Sequence, residues 1–165
     1  MPTPDRQLPV HAPMTQFATQ GGELVVGGKR LSTLAAQVGQ TPFYAYDRAL
    51  LKSRVAELRA ALPAAIELHY AMKANPMPAV VGLMAGLVNG IDVASGGELK
   101  VALDAGANPH EVSFAGPGKR DAELRQAVAA GVLVNVESSR EIAPLAEASS
   151  AGPARARGGA RQPRL

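Results

Sequence analysis

A lysine at the end of a strand-like stretch is the first group in this sequence that could carry out chemistry. Residues 66–72 are largely apolar and lead into Lys73, after which the chain turns at Asn75 and Pro76. A lysine at the carboxyl end of a strand lies at the rim of the sheet, where parallel α/β folds place their active sites. A partly desolvated lysine at such a rim can form a Schiff base with an aldehyde. The alternative is that Lys73 is an ordinary solvated lysine.

Two carboxylates are predicted to lie near the same rim. Residues 92–99, with the sequence DVASGGEL, pass from a predicted strand into a predicted helix and include Asp92 and Glu98. Asp92 is difficult to explain structurally, because a buried carboxylate without a partner is costly. Glu98 has a simpler structural explanation, since Ser95 and Glu98 have the spacing of a capping box at a helix N-terminus.

The remaining candidate groups are less specific. Residues 113–119, SFAGPGK, again join a predicted strand to a rim loop, but the glycines could simply form the turn and Lys119 could be solvated. His11 and His110 fall in predicted loops, and His69 falls in a predicted strand, where a histidine is more often a satisfied sheet residue than a ligand. The sequence has no metal-ligand spacing, no Gly-x-Ser-x-Gly motif and no phosphate-binding loop, so we predict no metal site.

The composition excludes several other classes of protein. The chain has no cysteine, which rules out disulfides, thiolate metal sites and a cysteine nucleophile. It also has no tryptophan and few aromatic residues, which argues against a base-stacking surface. Residues 1–10 lack the apolar core of a secretion signal, and the most apolar window, 80–88, is too short to span a bilayer. We therefore expect a soluble, cytoplasmic protein with no membrane partner.

The positive net charge of +3 is concentrated at one end of the chain. Residues 148–165 contain four arginines and no acidic residue; without these four, 13 of the 17 basic residues remain against 14 acidic ones, a net charge of −1. We therefore expect no nucleic-acid partner for the body of the protein. A non-enzymatic protein whose basic tail binds RNA or an acidic surface remains an alternative.

A regular alternation of elements positions the candidate residues. Strand-like runs begin roughly 20 residues apart, with helical patterns between them, at 43–46, 66–72, 91–94, 112–115 and 132–136. This βα repetition predicts a parallel sheet. A doubly wound fold would have a glycine-rich turn after its first strand, and residues 47–49 contain no glycine. The pattern thus favours a (β/α)8 barrel, of which about five βα units are present, so the predicted fold class is α/β with a partial, truncated barrel.

The sequence divides into three predicted parts. Residues 1–40 form a lead-in, loose as far as residue 22, with a strand at 23–26 and a short helix at 31–38 in which Ser32 is a candidate N-cap. Residues 41–147 form the incomplete barrel, in which Asp47 and Asp121 are candidate helix caps and Ser138 and Glu141 a second capping box. Residues 148–165, rich in Ala, Gly, Ser, Pro and Arg, are predicted to be disordered.

Two motifs of this sequence, one following the other along the chain, resemble those of a known enzyme family. Residues 70–75, YAMKAN, and 92–99, DVASGGEL, are similar to the pyridoxal-phosphate-dependent decarboxylases of the diaminopimelate, ornithine and arginine group. Their fold is the alanine-racemase-like barrel, fold type III. Residues 22–28 and 41–47 also resemble the start of diaminopimelate decarboxylases, and 114–119 resemble a subgroup found with bacterial exosortase systems. The resemblance extends from about residue 22 to 147.

The resemblance implies a decarboxylase that acts on a small amino acid, with pyridoxal 5'-phosphate (PLP) as cofactor. Lys73 matches the Schiff-base lysine, and Asp92 and Glu98 match positions near the cofactor. It also implies a homodimer for the full-length family. An alanine-racemase-like enzyme or a PLP carrier is the alternative within the same fold, although residues 92–99 favour the decarboxylases.

Parts of the family's site have no match in these 165 residues. They are the glycine-rich loop that binds the cofactor phosphate, the glutamate that meets the ring nitrogen, and a loop from the C-terminal β domain of a partner subunit. We therefore expect this chain as written not to be a competent decarboxylase.

Codons for residues 159–165, read one base later, can spell an Arg-x-Asn-Pro segment like the family's next strand, so we expect the tail to be a frameshift product or sequencing artefact.

Overall fold

The computed structural model describes residues 15–151 of the chain. Residues 1–14 of the predicted loose lead-in and residues 152–165 of the predicted disordered tail lie outside this range. The frameshift and RNA-binding hypotheses concern that tail and also fall outside the described residues. The chain divides into two compact units, with the boundary between Glu57 and Leu58. Each unit is described separately below.

The first unit contains a small antiparallel sheet. Its strands are β1 (Ala18–Gln20), β2 (Glu23–Val26) and β3 (Lys29–Arg30), in the order β1-β2-β3, followed by the helix α1 (Leu31–Val38). Two glycine pairs at positive φ, 21–22 and 27–28, form the tight turns, because a two-residue hairpin of this kind needs left-handed backbone. The predicted strand at 23–26 and helix at 31–38 are confirmed, whereas the expectation of a loose chain up to residue 22 is wrong at β1.

Two other predictions for this unit are corrected. Ser32 does not cap α1, since the N-cap position is Arg30 and the Ser32 hydroxyl donates to Glu23 Oε2 at 2.7 Å. Residues 43–46 are not a strand: they alternate in exposure, with Tyr44 91% exposed, but no neighbouring strand pairs with them among residues 15–151. An extended segment without a hydrogen-bonding neighbour does not form a sheet.

The next helix, α2 (Arg48–Ala61), contains the boundary between the two units. The predicted cap is confirmed, because Asp47 Oδ1 accepts hydrogen bonds from the backbone N–H groups of Ala49, at 2.8 Å, and Leu50, at 3.4 Å. Its second oxygen, Oδ2, accepts the N–H of Gly27 at 3.0 Å. Asp47 thereby ties the start of the helix to the preceding hairpin.

The second unit is the predicted parallel α/β array. Four parallel strands in the order β4-β5-β6-β7 alternate with helices: β4 (His69–Ala71), α3 (Pro78–Ala85), β5 (Gly90–Val93), α4 (Gly96–Asp104), β6 (Val112–Phe114), α5 (Asp121–Ala130), β7 (Leu133–Val134) and α6 (Ile142–Ala151). Short 3-10 turns occupy Met72–Ala74, Pro109–Glu111 and Ser139–Glu141. Four of the five predicted strands are therefore confirmed.

The sheet of the second unit has one apolar face and one polar face. Ile91 and Val93 of β5 and Val112 and Phe114 of β6 are buried in a core that also contains side chains of α3, α4 and α5. Because side chains alternate along a strand, the residues between them, Asp92 and Ser113, lie on the opposite face. The polar residues of the candidate site are thus carried on the face away from the helical core.

The end of the described chain also differs from prediction. Helix α6 continues to Ala151, four residues into the segment predicted to be disordered. The hydroxyls of Ser149 and Ser150 donate to the carbonyls of Leu145 and Ala146, one turn earlier, so the small polar residues are accommodated within the helix. Among residues 15–151, no helix is long and apolar enough to cross a membrane.

Candidate functional site

Lys73 lies where the sequence predicts it, directly after the carboxyl end of β4. It is the middle residue of the turn Met72–Ala74, whose first residue is fully buried. The Tyr70 hydroxyl donates to the carbonyl of Asn75 at 3.0 Å, which fastens the segment beyond the turn back onto the strand. Lys73 itself is exposed rather than partly desolvated as expected, and its ammonium has no hydrogen-bond or ion-pair partner within residues 15–151. The amine is available to a ligand.

Asp92 is held by two donors from the neighbouring strands. Its Oδ1 atom accepts a hydrogen bond from the Ser113 hydroxyl on β6 and lies 3.0 Å from Nδ1 of His69 on β4. The register places Asp92 opposite Ala71 on one side and Ser113 on the other, so all three side chains share the polar face. The carboxylate is therefore not unpaired, and His69 is satisfied within the sheet by this contact.

Glu98 forms one half of the capping box that its spacing predicts. The hydroxyl of the N-cap residue Ser95 accepts the N–H of Glu98 at 3.2 Å, whereas Glu98 Oε2 accepts the N–H of Ala94, one residue before the N-cap, at 2.7 Å. The two bonds fix the start of α4 and its approach from β5. Because its carboxylate is engaged by the backbone, a role for Glu98 at the cofactor remains a proposal.

A buried carboxylate that no sequence motif indicates, Glu123, supports the same loop. Glu123 Oε1 accepts the N–H of Gly96 at 2.8 Å, and its Oε2 accepts the backbone and side-chain N–H groups of Arg120 at 3.0 and 3.1 Å. The side-chain hydrogen bond from Arg120, followed by the backbone bonds from Gly96 and Arg120, lowers the pKa of Glu123 from 4.5 to about 2. Glu123 thus joins the N-termini of α4 and α5.

This arrangement predicts a pH-dependent stability. Because the folded pKa of Glu123 lies below its unfolded value of 4.5, its contribution is complete above that value and is lost as the pH falls towards 2. Glu123→Gln should lower the free energy of unfolding by about 1–3 kcal/mol at neutral pH. Urea unfolding should show a clearly smaller difference near pH 3, whereas Glu147→Gln, at an exposed position on α6, should change little. An equal loss at both pH values would contradict this assignment.

Lys119 is buried rather than solvated, which overturns the structural alternative considered for it. Its side chain is completely inaccessible, and its Nζ donates to the Gly116 carbonyl at 2.6 Å and lies 3.3 Å from Glu141 Oε2. Glu137 accepts the Gly116 N–H at 2.6 Å and lies 4.0 Å from the same ammonium. The loops after β6 and β7 are therefore joined through a buried lysine, which is not available to an aldehyde.

The carboxyl ends of the parallel strands bring these groups to one edge of the second unit. Lys73, the Ala94–Glu98 contact and Gly116 follow β4, β5 and β6 respectively. Within residues 15–151 no cluster of three or more His, Asp or Glu side chains could hold a metal ion. A groove of about 550 Å³ lies in the first unit, and its lining contains no ionisable side chain. Lys73 is the candidate reactive group at this edge.

Comparison with known proteins identifies the family. Residues 48–157 match the family model described as the pyridoxal-binding domain of pyridoxal-dependent decarboxylases. Diaminopimelate decarboxylase of Aquifex aeolicus is 42% identical over 127 residues, which cover 76% of this chain and 30% of that protein. The enzyme of the same name from Pseudomonas fluorescens is 37% identical over 131 residues, covering 78% and 31%.

Solved structures agree with the sequence comparison. The crystal structure of AQ1208 from Aquifex aeolicus is 40% identical, with a TM-score of 0.74, over 81% of this chain and 33% of that one. Diaminopimelate decarboxylase from Helicobacter pylori, complexed with L-lysine, is 34% identical, with a TM-score of 0.65, over 72% and 31%. The chain spans about a third of the length of the proteins it matches. It belongs to the pyridoxal-dependent decarboxylases, as the two motifs around Lys73 and Asp92 predict.

Proposed function

We propose that this chain carries the lysine half of the active site of a PLP-dependent amino-acid decarboxylase, with Lys73 as the residue that bonds covalently to the cofactor aldehyde. The observation that carries the proposal is the exposed, unpartnered amine of Lys73 at the carboxyl rim of β4. Because no acceptor among residues 15–151 engages its nitrogen, Lys73 would hold the cofactor aldehyde through that nitrogen once the ammonium has given up its proton to solvent.

The donor set of the described site fits this cofactor. Lys73 supplies the nucleophilic nitrogen, and Asp92 supplies a carboxylate whose position is fixed by two neighbouring strands. When bound, PLP acts as an electron sink for the electrons left on the α-carbon as CO2 departs. The turn Met72–Ala74 orients the lysine, and the capping contacts of Glu98 hold the adjacent loop in place.

The named relatives support a proposal for the substrate class. The curated relatives are diaminopimelate decarboxylases, and a lysine/ornithine decarboxylase from Vibrio vulnificus that is complexed with putrescine is 28% identical, with a TM-score of 0.61. We propose a small diamino acid, with diaminopimelate as the first candidate. A homodimer and a cytoplasmic location stay predictions from the resemblance and the composition. We expect turnover to require a chain of the relatives' full length.

A chimera tests the reaction directly. Residues 48–151 of this chain would replace the matching segment of the Aquifex aeolicus diaminopimelate decarboxylase, and CO2 release from diaminopimelate would be measured. We expect decarboxylation in the chimera and a loss of at least about a thousandfold in its Lys73→Ala version, since the covalent attachment point disappears. A chimera that binds PLP and racemises alanine without releasing CO2 would favour the racemase alternative and reject the proposal.

A further inference from the structure

His69, Asp92 and Ser113 form a hydrogen-bonded row across three adjacent parallel strands. Both donors reach the same oxygen, Asp92 Oδ1: the Ser113 hydroxyl from β6, and Nδ1 of His69 from β4 at 3.0 Å. No partner of the second oxygen, Oδ2, occurs among residues 15–151, and the Asp92 side chain is 44% exposed. One side of the carboxylate is thus fixed while the other is open to a ligand.

The backbone is shaped to receive the imidazole of His69. Gly90 pairs with His69 across the sheet, and a Cβ atom at Gly90 would lie 2.5 Å from Cε1 of the ring and 2.4 Å from the carbonyl oxygen of Glu111. Neither approach is compatible with a side chain at Gly90. The imidazole therefore occupies the space above a glycine, which limits the positions from which Nδ1 can reach Asp92.

The row lies near the strand end that carries Lys73. Asp92 is paired in register with Ala71, two residues before Lys73, so both residues belong to the carboxyl rim of the sheet. A carboxylate that is fixed at this position favours the binding of a cationic nitrogen. The two strand donors have already oriented the carboxylate, so binding does not have to supply that cost. Contact between Nδ1 and Oδ1 also requires the imidazole proton to lie on Nδ1.

We propose that His69 is a positioning residue, which holds the Asp92 carboxylate in place for the protonated nitrogen that joins Lys73 to the cofactor aldehyde. This inference rests on the proposed function. His69 acts through Asp92 and does not itself touch the cofactor. Ser113 is the second donor to the same oxygen and serves the same purpose.

The test is a PLP titration of the 165-residue chain, followed by borohydride reduction and quantification of the adduct at Lys73. His69→Phe should weaken the apparent affinity for PLP about tenfold, the size expected for loss of a charge-assisted hydrogen bond. His69→Asn, whose amide N–H can replace Nδ1, should recover it to within about threefold. Ser113→Ala should weaken it in the same direction. His110→Phe, at an exposed position in the turn Pro109–Glu111, is the matched control and should have no effect.

The outcomes separate this inference from the proposed function. If neither the unaltered chain nor the Aquifex aeolicus chimera gives an adduct at Lys73, the proposed function fails and the role of His69 fails with it; if only the chimera gives one, the variants are compared in the chimera. If the adduct forms at Lys73 and His69→Phe binds PLP as tightly as the unaltered chain, only the role of His69 is overturned. If His69→Phe and His69→Asn weaken PLP binding equally, the effect comes from the shape of the ring and not from its hydrogen bond. That result would also overturn the role proposed for His69. Thermal unfolding of each variant identifies any loss of affinity that follows loss of the fold.

Discussion

Replacing Lys119 with alanine should lower the free energy of unfolding by about 3–5 kcal/mol. The Lys119 ammonium is fully buried and lies 3.3 Å from Glu141, a carboxylate that is itself only 1% exposed. Removing the lysine would leave this carboxylate buried without its cation. It would also remove the hydrogen bond to the Gly116 carbonyl, so the loops after β6 and β7 would lose their connection. Urea denaturation followed by circular dichroism would measure the loss.

Two further variants make this prediction specific to the buried pair. Lys100→Ala removes an exposed lysine that pairs with Asp104 on α4, and we expect a change below about 1 kcal/mol. The double variant Lys119→Met/Glu141→Leu replaces the pair with apolar side chains and should recover much of the stability lost in Lys119→Ala. A loss below about 1 kcal/mol in Lys119→Ala would contradict the burial of this pair.

The parts of the fold that were predictable from the sequence depend on local patterns. The strands β4 to β7 were indicated by their apolar residues and regular spacing, and Asp47 was correctly assigned as a cap because its partners are two and three residues away. The strands β1 and β3 are not predictable in this way, because Ala18–Gln20 and Lys29–Arg30 are exposed throughout and contain no apolar run. Glycine pairs on either side of β2 were the signal that could have identified these hairpins.

The candidate site was predictable only in part, for the same reason. The strand end, the turn and the family motif all indicated Lys73, whereas Lys119 could not be distinguished from a solvated lysine. Its carboxylate partners, Glu137 and Glu141, come from the next βα unit and meet it only in the folded chain. The contact between His69 and Asp92 joins residues 23 positions apart, so no local spacing reveals it.

Lys73→Ala should remove the specific reaction of this chain with PLP. Three of the other lysines differ from Lys73 in being buried or paired: Lys119 is buried, Lys29 donates to Gln37 at 3.1 Å, and Lys100 pairs with Asp104. Lys52 is exposed like Lys73, but it lies within α2 and not at the end of a strand. We expect the absorbance of the bound cofactor to be lost in Lys73→Ala and retained in Lys52→Ala. The physical reason is that the adduct is held by the rim of the sheet and not by lysine chemistry in general.

The most direct test of the central claim is to incubate the unaltered chain with stoichiometric PLP, reduce it with borohydride and map the modified peptides by mass spectrometry. We expect one dominant modification among the five lysines, at Lys73, and none at Lys119. Modification spread evenly over Lys29, Lys52, Lys73 and Lys100, or concentrated at any lysine other than Lys73, would contradict it.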